Sequence, residues 1–160
     1  MLMTEIFNLC VLFFLICYCN TGSDKKNIKS LSSYPNEIQH IVRENAILND
    51  KIKTTNPLIS FFSNIIVFTV ILFVFGLFIK KASFTDNLTS LLILGQSLNL
   101  FDFLVIDMLW WRNTTRIRFS GTEHMDQVYK NPKKHFISFI KGILVFFIVA
   151  IIDGLLLSIF

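Results

Sequence analysis

Side chains that could transfer protons are concentrated in the segment 112–135 and just before it. The candidates for catalysis are the carboxylates of Asp107 and Glu123 and the imidazoles of His124 and His135. Groups of these kinds act as general acids and bases, and they bind metal ions where several of them converge on one point. Neither of the helical spacings H-x-x-x-H and H-E-x-x-H occurs in the sequence. We therefore predict an acid–base site at most, and no metal site.

The same segment also has a purely structural interpretation. Thr122 is placed to cap a helical turn, and Glu123 and His124 would then lie at the start of that turn. Acidic groups at the N-terminal end of a helix are stabilised by the helix dipole. This interpretation explains the carboxylate without any catalytic role.

Arginine side chains give the segment a second possible chemistry, which is the binding of phosphate. Arg112, Arg116 and Arg118 carry guanidinium groups, and these bind phosphate oxygens through paired hydrogen bonds. The three arginines are therefore candidates for contact with a lipid phosphate. The excess of Lys and Arg that is usual in cytoplasmic loops explains them equally well without a ligand.

The elements that must position these residues are membrane-spanning helices. Leu58–Ile79 contains no charged residue, and at about 1.5 Å per residue it extends about 33 Å, enough to cross a hydrocarbon layer roughly 30 Å thick. Hydrophobic residues make up 53% of the chain, well above the usual share in a water-soluble domain. We predict one all-α membrane domain, a bundle of four transmembrane helices over residues 1–19, 58–79, 88–111 and 136–160.

The first of these segments is expected to stay in the protein as an uncleaved anchor. A secretory signal peptide needs a basic start and a cleavage site between small residues. Here Glu5 is the only early charge, and the apolar run ends in Cys-Tyr-Cys-Asn.

Charge in the loops predicts the orientation in the membrane. Residues 20–56 carry six Lys and Arg, residues 112–134 carry six more, and the short turn 80–87 carries two. Basic residues are enriched in cytoplasmic loops, so both long loops should be cytoplasmic and both termini outside the cell. Topology accounts for the net charge of +4, and no nucleic-acid motif is present. We therefore predict no nucleic-acid partner.

The first long loop is predicted to contain an amphipathic helix over residues 35–53. Ile38, Ile41 and Val42 recur at helical spacing, with Leu48 and further apolar residues following. Acidic and basic residues in this stretch cancel, whereas a helix that binds anionic lipid has a basic polar face. The helix is expected to dock on the bundle or on a partner protein, or to lie solvated at the membrane surface.

Polar side chains within the third and fourth spans are costly in hydrocarbon and need partners. Counting 100° per residue, those of the third span cover an arc of roughly 140° that cannot face lipid. Running the two helices antiparallel predicts that Asp107 pairs with Lys141 and that Asp153 lies near Gln96. Alternatively, Lys141 extends to the headgroups and Asp107 remains at the interface. The intramembrane polar residues are Gln96, Asn99, Asp102, Asp107, Lys141 and Asp153.

The run 102–142 resembles small multipass membrane proteins of unknown role from low-GC bacteria. The resemblance is carried by Asp-Met-Leu-Trp-Trp-Arg, by Ser-Gly-Thr-Glu-His-Met-Asp and by the later Lys-Lys-His. It implies no particular activity. It does imply that the following residues work together: Asp107, Trp111, Arg116, Gly121, Thr122, Glu123 and His135.

Three functions are compatible with these patterns. The first is a non-catalytic accessory protein that binds a protein partner or a second copy of itself, in contact with membrane lipids. The second is a membrane-interface enzyme acting on a lipid or lipid-linked substrate, with Asp107, Glu123 or His124 as acid or base. The third is a small transporter subunit in which Asp102, Asp107 and Asp153 line a polar path. None of the three requires a cofactor, and we predict none.

Overall fold

A computed structural model describes residues 1–50, 52 and 56–159, without the side chain of Ala46. Every regular element of the described residues is helical. A 3-10 helix covers Ile28–Ser33, and a π-helix covers Asp102–Trp111. The α-helices are α1 (Leu2–Cys19), α2 (Asp24–Asn27), α3 (Asn36–Glu44), α4 (Ala46–Asn49), α5 (Pro57–Ile79), α6 (Phe84–Phe101), α7 (Asp126–Tyr129) and α8 (Lys133–Ile159).

Within the described residues, four helical segments are long and apolar enough to cross a membrane, which identifies a multipass membrane protein. They are Leu2–Cys19, Pro57–Ile79, Phe84–Trp111 and Asp126–Ile159. The predicted all-α class with four spans is therefore confirmed.

Local capping decides where the spans begin. Asn56 accepts a hydrogen bond from the Leu58 backbone at 2.9 Å, and Pro57 occupies the first position of α5, where no backbone N–H is needed. Ser83 accepts from the backbone of Asp86 at 3.1 Å and so starts α6. This cap places the beginning of the third span four residues before the predicted position 88.

The second half of the third span is a π-helix rather than an α-helix. A π-helix has i→i+5 hydrogen bonds and is rare over more than one turn. It runs over ten residues here and includes both Asp102 and Asp107. The predicted arc of polar side chains assumed an α-helical rotation of about 100° per residue as far as Asp107. That rotation does not hold after Phe101, so the position predicted for Asp107 around the helix is wrong.

One compact unit comprises Met1–Leu12, Thr55–Asp102 and Phe139–Phe160. Leu72 of α5, Leu91 and Leu94 of α6 and Val149 of α8 are each fully buried. Glycine allows these three helices to approach closely. A Cβ atom on Gly95 would lie 2.8 Å from the Phe146 ring and 3.1 Å from Leu72.

A second compact unit comprises Phe13–Thr54 and Phe103–Ser138. Its core joins the two long loops, because Tyr34 and Ile38 from the first loop share one hydrophobic cluster with Ile117, Phe119 and Tyr129 from the second. The loops are therefore one folded body with a core of its own, rather than two separate connectors.

The amphipathic helix predicted over residues 35–53 is interrupted at Asn45. Asn45 adopts extended backbone angles (φ −76°, ψ 108°), and its side chain accepts hydrogen bonds from Ile47 and Leu48, so that it caps a new helix, α4. Positions 51 and 53 lie outside the described residues. Ile38 and Val42 are at most 1% exposed. Ile38 and Val42 are therefore buried in the core of the second unit, whereas Ile41, predicted on the same face, is 38% exposed.

Candidate functional site

The central pair of the candidate site consists of Asp107 and His135. His135 Nδ1 lies 2.8 Å from Asp107 Oδ1, and the side chains are 6% and 13% exposed. Asp107 comes from the π-helix and His135 from the first turn of α8. An imidazole that donates from Nδ1 to a carboxylate is held in one tautomer, which leaves Nε2 free to accept a proton. The pair therefore has the arrangement that acid–base chemistry requires.

Trp111 covers this histidine. Its ring lies 5.6 Å from the His135 ring in an edge-to-face arrangement, a geometry preferred by aromatic pairs. Trp111 itself is 7% exposed. Two of the residues that the sequence resemblance grouped with His135, Asp107 and Trp111, thus both contact it.

The partner of Asp107 is a histidine rather than the predicted Lys141, whose side chain is exposed. The reason is the register between α6 and α8. The Asn99 side chain donates to the Phe139 carbonyl at 3.2 Å, and Gln96 donates to the Ile143 carbonyl at 3.1 Å. Lys141 therefore lies at the level of Asn99, about two helical turns from the predicted depth.

Asp153 is also displaced from its predicted position near Gln96. A Cβ on the adjacent Gly154 would lie 3.2 Å from Phe84 and 3.5 Å from Leu88, at the start of α6. Asp153 is fully buried, and neither carboxylate oxygen has a hydrogen-bond partner among the described residues. Asp102 lies fourteen residues after Leu88, about 21 Å further along the helix. Asp102 and Asp153, two aspartates of the proposed polar path, are thus far apart.

Arg116 forms hydrogen bonds with the backbone at the beginning of the first long loop. Its Nη2 donates to the carbonyls of Tyr18 and Thr21 at 3.3 and 3.2 Å, and its guanidinium lies 3.9 Å from the centre of the Tyr18 ring. The backbone carbonyl of Arg116 accepts from Gly22 and from the side chain of Asn27. Arg116 therefore joins the two loops through Nη2 and its backbone carbonyl, while its buried Nε has no partner among the described residues.

Of the two terminal nitrogens of the Arg118 guanidinium, Nη2 has hydrogen-bond partners and Nη1 has none among the described residues. Nη2 lies 3.1 Å from Asp126 Oδ1 and donates to the Arg112 carbonyl at 3.2 Å, while the guanidinium stacks 4.1 Å above the Tyr129 ring. Nη1 is buried and has no partner in the described part of the chain. Arg112 itself donates to the sulfur of Met108 at 3.7 Å. Of the three arginines predicted to contact phosphate, Arg118 keeps a buried Nη1 and Arg116 a buried Nε without a partner among the described residues.

The remaining catalytic candidates lie in the second long loop, before α7. Glu123 and His124 are exposed, and the helix that follows them begins only at Asp126. Thr122 does not cap that helix. Its hydroxyl donates to the Phe119 carbonyl at 2.8 Å and lies 2.6 Å from the Tyr129 hydroxyl. The predicted cap is therefore wrong, and the site that Glu123 and His124 were expected to share with Asp107 and His135 stays a prediction.

Tyr34 was missed by the sequence reasoning. It is fully buried, and its ring lies 5.0 Å from Trp111 and 5.0 Å from Phe119. Burial raises the pKa of Tyr34 well above its usual value, as does nearby Tyr129, whereas the positive charge of Arg118 acts in the opposite direction. The hydroxyl therefore keeps its proton. No sequence signal distinguishes Tyr34 from an ordinary loop tyrosine, because its environment comes from the second loop.

Metal binding receives no support from the described residues, which contain no group of three or more His, Cys, Asp or Glu arranged to hold an ion. Compared with protein-family models, with curated proteins and with solved structures, the chain matches none of them.

Proposed function

We propose that this protein is a non-catalytic accessory subunit that binds another membrane protein through the first half of α5. The observation that carries the proposal is Asn64, a carboxamide in the uncharged span Pro57–Ile79 that is exposed and has no hydrogen bond within the described residues. Such a group in hydrocarbon is unfavourable by several kcal/mol unless another chain supplies partners.

Packing along α5 agrees with this proposal. Its buried residues, Leu72, Gly76 and Ile79, all lie in the second half of the helix. Ser60 precedes Asn64 by one turn on the same face, and both are exposed. Polar side chains join transmembrane helices by hydrogen bonds worth about 1 kcal/mol each. The unfilled polar strip on α5 therefore suits a second transmembrane helix.

The proposed location is the cell membrane, with both long loops in the cytoplasm and both termini outside. The two loops share one hydrophobic cluster, so a membrane crossed by the helices has both loops on one side. Their Lys and Arg content favours the cytoplasmic side.

Site-specific photocrosslinking in native membranes tests the proposal. A photoreactive residue at position 60 lies on the Asn64 face, and one at Ile66 lies about 160° away from Asn64 on an equally exposed face. We expect a discrete adduct with another membrane polypeptide from position 60 only. Asn64→Leu should abolish it, and Asn64→Gln, which keeps the amide, should retain it.

Equal adducts from both positions, or an adduct unaffected by Asn64→Leu, would contradict partner binding through this strip. The mass of the adduct separates self-association, at twice the chain mass, from binding to a different subunit.

A membrane-interface enzyme is the second candidate, favoured by the 2.8 Å contact between Asp107 and His135. In that function Asp107 orients the imidazole and His135 Nε2 accepts a proton from water or from a hydroxyl of a lipid or lipid-linked substrate. Purified protein would then turn over such a substrate, and His135→Gln would stop the turnover while leaving the crosslink at position 60 intact.

A further inference from the structure

Four side chains of the second unit each have a buried hydrogen-bonding atom without a partner among the described residues: Tyr34 Oη, Trp111 Nε1, Arg116 Nε and Arg118 Nη1. The Arg116 guanidinium already donates to two carbonyls and stacks on Tyr18. The other three side chains are almost fully buried: Tyr34 is 0% exposed, Trp111 is 7% exposed, and the Arg118 side chain is 6% exposed. Buried polar groups in proteins almost always have partners, so these exceptions indicate a missing group.

These three side chains, the donor cluster, are linked through aromatic contacts. The Tyr34 ring lies 5.0 Å from the Trp111 ring and 6.1 Å from the Tyr129 ring. The Arg118 guanidinium lies 4.1 Å from the centre of the same Tyr129 ring. The three side chains therefore belong to one neighbourhood, to which the two long loops and the end of the π-helix contribute.

The chemistry of the donor cluster selects its ligand. An indole N–H and a guanidinium N–H can only donate hydrogen bonds, and a protonated phenol donates as well. The missing group must therefore present several acceptor oxygens. A metal cation does not fit, because donors surround the site and the guanidinium would repel it.

Charge sets a further limit on the ligand. Three carboxylates face this region, each already engaged: Asp24 accepts from the Ser120 backbone, Asp107 pairs with His135, and Asp126 pairs with Arg118. Asp126 is 60% exposed, so its effect on Arg118 is partly screened by water. A singly charged group is accommodated better here than a doubly charged one.

We propose that the donor cluster binds the phosphodiester group of a membrane lipid. A phosphodiester has a single negative charge and several acceptor oxygens. Trp111 ends the candidate span Phe84–Trp111, which is the depth at which lipid phosphates lie. This site goes beyond the proposed partner binding and is independent of it, because α5 contributes no residue to the donor cluster.

Lipid titration of the full-length protein in a non-ionic detergent tests the proposal. The probes are dioleoyl phosphatidylglycerol, dioleoylglycerol with the same acyl chains but no phosphate, and inorganic phosphate. The readout is the thermal unfolding midpoint, which rises when a ligand binds only the folded state. We expect phosphatidylglycerol to raise it, dioleoylglycerol to leave it unchanged, and inorganic phosphate to bind about tenfold more weakly or worse.

Variants that each remove one hydrogen-bond donor identify the site. Tyr34→Phe and Trp111→Phe each remove one donor while keeping an aromatic ring, and each should weaken phosphatidylglycerol binding about tenfold. The matched control is Trp110→Phe, because Trp110 Nε1 is not one of the unpartnered atoms. Asn64→Leu should also leave lipid binding unchanged, which separates this site from the proposed function.

Equal stabilisation by dioleoylglycerol would overturn the proposal, since the acyl chains alone would then account for binding. So would wild-type affinity in both Tyr34→Phe and Trp111→Phe. If one of these variants fails to fold, the other still decides the question, because the two side chains lie in different segments.

Discussion

Asp107 and His135 lie 2.8 Å apart, and both side chains are largely shielded from water. The aspartate is on the π-helix that ends the third span, and the histidine is in the first turn of the fourth. Their contact therefore closes the second long loop at its base. It also gives a buried carboxylate the hydrogen-bonded partner without which its burial would be strongly unfavourable.

This pair should contribute measurably to stability. Asp107→Asn and His135→Gln are each expected to destabilise the protein by about 1–3 kcal/mol, because each leaves a buried polar partner unsatisfied. The double variant should lose less than the sum of the two single losses, since the residues act together. Unfolding in detergent measures this coupling. Lys141→Met is the control, and a loss as large as that of Asp107→Asn would instead support the lysine pairing.

Removal of the hydroxyl should lower the stability of the protein at Tyr129 but not at Tyr34, although both tyrosines lie in the same core. Tyr129 Oη accepts from the Phe119 backbone at 3.1 Å and lies 2.6 Å from the Thr122 hydroxyl. Tyr129→Phe should therefore cost about 1–3 kcal/mol. Tyr34→Phe removes an unpartnered hydroxyl and should leave the lipid-free protein as stable or make it more stable. Denaturant titration in lipid-free detergent compares the two, and equal losses would mean that Tyr34 has a partner within the protein.

Gly142 permits the close contact of α6 and α8. A Cβ at this position would collide with the Asn99 side chain, and overpacking of this kind costs about 1–3 kcal/mol. Gly142→Ala should destabilise the protein by that amount. Asn99→Ser in the same chain should restore most of the loss by making room. Absence of rescue would show that the defect of Gly142→Ala does not come from Asn99.

Arg116 should not tolerate replacement by lysine. A lysine cannot reproduce the two carbonyl bonds and the stacking on Tyr18 that the planar guanidinium makes. We expect Arg116→Lys to lower the unfolding midpoint and to speed proteolysis near Gly22, whereas Arg43→Lys on the exposed face of α3 should do neither. Limited proteolysis followed by mass spectrometry provides the measurement.

The proposed orientation is tested by cysteine labelling in intact cells. After Cys10, Cys17 and Cys19 are replaced by serine, new cysteines at Ser33 and at Ser120 report on the two long loops, which share one core. Both should resist an impermeant maleimide until the cells are opened, and a cysteine at Met3 should react at once. Labelling of only one loop in intact cells would contradict the shared position of the loops.

The membrane-spanning elements were predictable because hydrocarbon imposes a length and a composition that each segment shows by itself. Leu58–Ile79 has both, and Lys80 and Lys81 mark its end. The need for partners around Gln96, Asn99 and Asp107 was also visible in the sequence, because polar groups in lipid must be satisfied wherever they lie. The identities of those partners were not visible.

Tertiary structure decided which groups meet. The register of α6 against α8 depends on where glycine allows close approach, as at Gly95 and Gly142, and on a π-helix that no local pattern indicated. The core around Tyr34 and Tyr129 depends on two loops more than ninety residues apart in the sequence. The sequence by itself determined the solvent, the class of fold and the number of spans, because these follow from local composition. Only tertiary structure decided that His135 is the partner of Asp107, because a contact between distant segments depends on how their side chains pack together.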